Sequence, residues 1–187
     1  MDTDPIVALT ETIPAMQAWH ERLLAAVQGS GLIIEPYPSS LPSGNPRGAA
    51  AARAYPIQGI LKYHGMADWD LRTAYMPSIS VNNDAAYTLT WVRFDPQLTH
   101  DEAIINGQTA LGRPLERIVH SLDAVRRLAR ISSRARVVSR NAVRASRTGK
   151  GLGTSASASA ALAMAALAAA LGEEIAMNRR LLSCLAR

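Results

Sequence analysis

The chain has 187 residues, 48% of them apolar and 19% charged, with a formal net charge of +5. That much apolar surface excludes a largely disordered chain. A single cysteine, Cys184, excludes a disulfide-stapled module and a cysteine-built metal site.

In residues 1–48, Ile13, Met16, His20, Leu23, Leu24 and Val27 recur at helical spacing and predict one amphipathic helix. Gly29, Gly31, Pro36, Pro38, Pro42, Gly44, Pro46 and Gly48 then read as a linker, so 1–48 is expected to be an extension and 49–187 the globular domain. Residues 53–63 predict a strand ending in a glycine turn. The alternation of residues 86–94 predicts the clearest strand of the chain, and Ala103–Asn106 a short one closed by Asn106-Gly107. Pro114 and the stripe Leu115, Ile118, Val119, Leu122, Val125, Leu128 and Ile131 predict a helix over 114–131. A strand is expected at Arg134–Arg140, a glycine loop at 149–153, a helix from Thr154 to Leu171 and a last helix after Gly172.

Charge is unevenly spread. Residues 1–50 carry −3, 51–123 carry −2, 124–172 carry +9 with no acid, and 173–187 carry +1. The acid-free stretch would concentrate an anion nearby, or would simply be a solvated helix face. No Phe, Tyr or Trp lies between 95 and 187, which argues against nucleic acid as the partner of this run. The segment Ala156–Leu171 is about a turn short of a bilayer span, and no membrane is expected. Asp2 and Asp4 stand where an export signal needs positive charge, so a cytoplasmic protein is expected. His20, His64, His100 and His120 have no metal-helix spacing, and no metal ligand set is expected.

The chemistry concentrates at residues 147–160. Gly149, Gly151 and Gly153 let the backbone approach a ligand, and Thr154, Ser155 and Ser157 offer hydroxyls at a helix start. The first-turn amides of that helix have no intrahelical partner and sit at the positive end of the dipole. With Lys150, Arg144 and Arg147 nearby, the expectation is a phosphate cradle. It is neither a P-loop nor a Rossmann fingerprint.

Gly151-Leu152-Gly153-Thr154-Ser155-Ala156 resembles the phosphate loop of the GHMP kinase superfamily, a proline followed by Gly-Leu-Gly/Ala-Ser-Ser-Ala. Thr154 replaces a serine of that pattern and Arg147 its proline. Lys62-Tyr63-His64-Gly65-Met66 resembles the Lys-Tyr-Trp-Gly-Lys motif of mevalonate-pathway decarboxylases within that superfamily, and residues 75–81 resemble the stretch after it. The similarity is spread over about 49–187. It implies an α+β fold, the GHMP-kinase-type N-terminal domain, with a mostly antiparallel sheet and packed helices.

The implied reaction is ATP-dependent decarboxylation of mevalonate 5-phosphate or 5-diphosphate to the isopentenyl product, in isoprenoid synthesis, with ATP and Mg2+ as cofactors. Carried over by the resemblance, Lys62 is the catalytic residue beside the transferring phosphoryl group. Tyr63, His64, Gly65, Ser155, Ser157 and Ser159 bind substrate or face the phosphates. Gly149, Lys150, Gly151, Leu152, Gly153, Thr154 and Ser155 hold the nucleotide. Without the resemblance, Lys62 reads as a strand-end lysine and Tyr63 and His64 as packing residues. Met66 stands where a diphosphate-binding lysine is usual, and Glu102 and Ala103 where an arginine is, which favours the monophosphate.

The family's second half, with its aspartate and substrate arginine, is not found before Arg187, so the chain is expected to be a fragment that alone acts weakly. Alternatives are a GHMP-type small-molecule kinase, which would release no CO2, and a noncatalytic remnant. The oligomeric state is open, a homodimer included.

Overall fold

The computed structural model describes residues 14–15, 17–19, 21–22, 25–26, 28–31, 35–61, 66–68, 73–74, 78–143 and 153–186. The chain forms two compact units, one of residues 1–34 with 59–81, the other of 35–58 with 82–187. In the first, the described residues within 14–29 are helical (α1), and β3 (Met66–Asp68) pairs antiparallel with β4 (Thr73–Ala74). The apolar stripe expected for α1 falls outside the described residues. β2 (Ile57–Leu61) and β5 (Ile79–Asn82) form a two-stranded ribbon.

The second unit is a five-stranded sheet ordered β1-β6-β9-β7-β8. Its strands are β1 (Ala49–Ala54), β6 (Ala86–Asp95), β7 (Glu102–Ile105), β8 (Gln108–Thr109) and β9 (Arg134–Val143). All neighbours are antiparallel except β7 and β9, which run parallel and are therefore joined by a crossover, made of β8 and α2 (Arg113–Ala129). The sheet is mostly antiparallel with helices packed on it, as expected.

Alternation decides the two faces. Ala86, Thr88, Thr90, Val92 and Phe94 of β6, and Ala135 and Val137 of β9, point inward and are buried under α3 (Thr154–Leu171) and α2. Leu89, Arg93, Arg134, Arg136, Val138 and Arg140 point outward and are exposed. Of the described helices, α3 alone is long and apolar enough to cross a membrane, and most of it from Ala161 to Leu171 is buried within this fold.

The expected strand over 53–63 is two strands. Pro56 has no N–H for a ladder, and β1 ends at Ala54 before it. β1 also starts earlier, in an alanine run that propensity disfavours as a strand. Asn106 and Gly107 both have positive φ (51° and 83°), as a two-residue hairpin turn requires. α2 ends at Ala129 rather than Ile131. Arg130 is left-handed, and both its N–H and that of Ile131 reach the Arg126 carbonyl, so Ile131 folds back on the core from beyond the helix. The expected last helix is two, α4 (Glu173–Ala176) and α5 (Arg179–Leu185), because the Asn178 side chain accepts from the Leu181 N–H and starts a new one.

Residues 35–48, expected to be a linker, are part of the second unit. The Asn45 N–H donates to the Ala170 carbonyl and the Phe94 N–H to the Gly48 carbonyl. A Cβ on Gly48 would lie 1.8 Å from the Ala169 carbonyl oxygen, so this backbone lies directly against that of α3. Glu35 accepts from the Arg179 N–H, and Arg180 stacks on Tyr37. A division at 48/49 is therefore not the one the structure makes. The proline and glycine content that suggests a linker serves close packing instead.

One buried ion pair closes the crossover. Arg126 binds Asp101 through two hydrogen bonds of 2.9 Å, and Asp101 also accepts from the Ala135 N–H at 2.7 Å. Both side chains are nearly inaccessible, at 6% and 2%. The pair ties the start of β7, the C-terminal half of α2 and the start of β9. Arg126 also bonds the more exposed Asp123, so Asp101→Ala leaves the guanidinium with that one carboxylate and the buried Ala135 N–H with none, and should cost about 1–3 kcal/mol. A drop in the urea midpoint of that order is expected, and Asp101→Ala with Arg126→Met should recover part of it.

Candidate functional site

The site is built where β9 hands the chain to α3. Lys62, Tyr63, His64, Gly65, Gly149, Lys150, Gly151 and Leu152 lie outside the described residues. What is described is the far wall of the loop: Gly153, Thr154, Ser155, Ser157 and Ser159.

Gly153 is the N-cap of α3 and is left-handed, with φ 72° and ψ 24°. A Cβ there would stand 2.9 Å from the Ile57 carbonyl oxygen, closer than real Cβ atoms come. Both observations demand glycine at this position, one of the three glycines read from the sequence. No side chain caps the helix, and its first turn carries no acid. The Ala156 N–H turns back to the Gly153 carbonyl at 3.1 Å. The helix start therefore presents main-chain amides and the positive end of an 18-residue dipole, with no carboxylate competing for them. These residues fit a nucleotide phosphate.

The three serines do not act together. A helix turns about 100° per residue, so Ser155 and Ser159 share a face and Ser157 points nearly opposite. Ser155 is exposed, Ser159 half-buried and Ser157 fully buried. The expectation that Ser157 faces a ligand is corrected by this geometry, since an alternating spacing shares a face on a strand and not on a helix.

Ser157 faces the sheet instead. Its Oγ lies 2.7 Å from Thr88 Oγ1 and 3.0 Å from the Thr154 carbonyl. Thr88 donates to Asn141 Oδ1 at 2.7 Å, and the Asn141 N–H donates to Asn106 Oδ1 at 2.8 Å. Thr88 and Asn141 belong to no motif of the sequence, and Asn106 is marked there only as a turn residue. The signal for Thr88 was available, because it holds an inward position of the alternating strand 86–94, where a polar residue calls for a partner.

Among the described residues, Arg126, Arg134, Arg136 and Arg140 of the acid-free basic run are not directed at the start of α3. Arg126 is buried against Asp101. Arg134, Arg136 and Arg140 point out of the sheet face that α3 does not cover, and Arg136 pairs with Glu102 at 2.8 Å. Arg144 and Arg147 lie outside the described residues. On the same open face Arg53 sits over the Tyr87 ring at 4.8 Å, and Tyr55 meets Tyr87 edge-on at 6.4 Å. The Arg53 guanidinium is held above its ordinary range first by its hydrogen bond to Tyr55 and then by the charge of that phenol. Among the described residues no three His, Cys, Asp or Glu side chains gather as a metal site.

The family model described as diphosphomevalonate decarboxylase-like N-terminal domain matches residues 54–187. A phosphomevalonate decarboxylase of Haloferax volcanii is 44% identical over 93 residues, half of this chain and 29% of that protein. The mevalonate diphosphate decarboxylase structure from Staphylococcus aureus superposes with a TM-score of 0.66 at 38% identity, over 75% of this chain and 40% of that one. The Enterococcus faecalis mevalonate diphosphate decarboxylase, in a structure concerned with its mevalonate diphosphate mediated ATP binding, gives 0.67 at 35% identity, over 75% and 42%. The chain thus spans well under half the length of each of these relatives.

Gly153→Ala should destabilise by about 1–2 kcal/mol for the left-handed backbone alone. Gly107, also at positive φ but with open space around it, supplies the control. Gly153→Ala is expected to lower the urea midpoint more than Gly107→Ala. Equal losses would mean that the approach to Ile57 is not a constraint.

Proposed function

Since the chain belongs to the family of diphosphomevalonate decarboxylase-like N-terminal domains, we propose that it supplies the nucleotide-binding wall and part of the substrate site of an ATP-dependent decarboxylase acting on a phosphorylated mevalonate. The observation that carries this reading is the start of α3: a glycine that admits no side chain, a first turn that no side chain caps, and no acid. Such a terminus binds phosphate through the main chain. Thr154 and Ser155 flank it, and Gly149, Lys150, Gly151 and Leu152 complete the loop in sequence.

In this reading the α3 terminus orients the phosphates of ATP, and bound ATP and Mg2+ supply the transferable phosphoryl group and its charge neutralisation. Lys62 stabilises negative charge as it develops near the substrate's 3-hydroxyl. By the resemblance, Tyr63, His64 and Gly65 contact substrate, and the exposed hydroxyl of Ser155 and that of Ser159 serve substrate or nucleotide. Phosphorylation of the 3-hydroxyl makes it a leaving group, and its departure as phosphate accompanies loss of CO2 and formation of the isopentenyl double bond. Met66 offers no cation to a second substrate phosphate, which favours mevalonate 5-phosphate. The naming of the Haloferax volcanii relative as a phosphomevalonate decarboxylase supports the same choice. We place the reaction in isoprenoid synthesis in the cytoplasm.

The test offers MgATP with mevalonate 5-phosphate and with the 5-diphosphate in parallel, to this chain and to a polypeptide of the relatives' full length, and follows ADP and CO2. Both products, faster with the monophosphate, are expected from the longer polypeptide. ADP without CO2 would make the protein a kinase, and neither product would refute the proposal. Lys62→Ala in the active polypeptide should lower turnover by about 100-fold or more, with the thermal midpoint unchanged.

A further inference from the structure

We infer that Thr88, Ser157 and Asn141 form a latch that fixes the two ends of the phosphate loop relative to each other, making Thr88 a positioning residue for nucleotide binding. This deepens the function proposed above and rests on it for the identity of the ligand.

The loop between Val143 and Thr154 leaves from the end of β9 and arrives at the start of α3. Asn141 lies two residues before the end of β9, and Ser157 in the first turn of α3. They do not bond each other. Both bond Thr88, at 2.7 Å each, and Thr88 is anchored in β6 opposite Asn141 in the antiparallel register. One threonine side chain therefore bridges strand exit and helix entry. Asn106, at the β7–β8 turn, holds the Asn141 backbone in place from the other side.

The latch supplies what packing here cannot. The buried side of α3 is mostly alanine. A helix so smooth offers few knobs to set its position along its own axis, since packing specificity comes from interdigitating shapes. A directional hydrogen bond between buried hydroxyls does set it. Thr88 and Ser157 are both 0% exposed, so a displaced α3 breaks their contact inside the core, leaving Thr88 only Asn141 and Ser157 only the Thr154 carbonyl of its own helix. A shift of the first turn carries its phosphate-facing amides along with it, and geometry within about 0.5 Å decides how well such a site works.

Each hydroxyl has one proton. With Thr88 giving its own to Asn141, the latch has Ser157 give its own to Thr88 Oγ1, in competition with the Thr154 carbonyl at 3.0 Å. Thr88→Val removes the bridge at nearly constant shape, Thr88→Ser keeps the hydroxyl, and Ser157→Ala removes it from the helix side.

The whole chain and these three variants would be titrated with MgADP by calorimetry, and the amides of residues 153–158 followed by hydrogen exchange without nucleotide. Thr88→Val and Ser157→Ala are expected to weaken MgADP by about tenfold and to speed exchange at 154–157, while Thr88→Ser stays within about twofold of the parent. Thr88→Val binding as tightly as the parent, or Thr88→Ser losing as much as Thr88→Val, would overturn the latch. If Thr88→Val does not fold, Ser157→Ala against Thr88→Ser decides by the same criteria. If the parent chain binds no MgADP, the nucleotide-binding reading fails by itself, and exchange decides the latch: faster exchange at 154–157 in the variants upholds it, and unchanged exchange overturns it.

Discussion

The closeness with which α3 approaches its neighbours is the constraint on which the second unit depends. Alanine along the buried side lets other backbone come within contact of the helix backbone, and the glycines that meet it make the same concession. Gly48 lies against the Ala169 carbonyl near one end, and Gly153 of the helix's own cap lies against the Ile57 carbonyl at the other. Between them α3 covers β1 and β6, where Ala52, Ala86, Val92 and Phe94 fill the layer. A bulkier helix would push the 44–48 segment away, and with it the hydrogen bonds from Asn45 to Ala170 and from Phe94 to Gly48.

Such a layer gains density at the expense of shape. The inward face of β6 changes character along its length, from Thr88 and Thr90 to Val92 and Phe94. The apolar end lies toward Gly48, and the polar end lies under Ser157 at the start of α3. Thr90 pairs with Ser139 at 2.9 Å one row below the Thr88–Asn141 contact, so this polar end is fully partnered. Buried hydroxyls are costly when unpaired and directional when paired. Placing them at the loop end of the helix puts orientation where a ligand would need it, and leaves the rest of the interface to close packing.

Most of this architecture was legible in the sequence where one period dominates. The alternation of 86–94 marked β6, the stripe from Leu115 marked α2, and the change from basic strand to alanine run marked the loop and α3. Legibility failed where a residue does two jobs. Ala49–Ala52 carries no strand signal but lies in a strand, where Ala50 and Ala52 pack toward α3 and Ala49 and Ala51 are exposed. The prolines and glycines of 35–48 read as a linker, because close packing and flexibility call for the same residues. Ser155, Ser157 and Ser159 read as one group because their spacing was counted along the chain rather than around the helix. The Lys62 motif was legible only by resemblance, since a lysine, a tyrosine and a histidine in a row carry no period at all.

The distribution of the described arginines bears on how the proposed phosphate site would hold its anion. A basic run beside a glycine loop suggests attraction by side-chain charge. Strand alternation sends Arg134, Arg136 and Arg140 to the uncovered face of the sheet, and the ion pair with Asp101 takes Arg126 into the core. What remains at the described wall of the loop is main chain: the amides of the first turn of α3, the dipole behind them, and a cap that tolerates only glycine. Charge acts over several ångströms and forgives displacement, whereas amide hydrogen bonds weaken steeply with distance and angle. In the function we propose, the described part of this wall acts through backbone position, so the close approaches at Gly48 and Gly153 and the hydroxyl contact at Thr88 would serve the site as well as the fold.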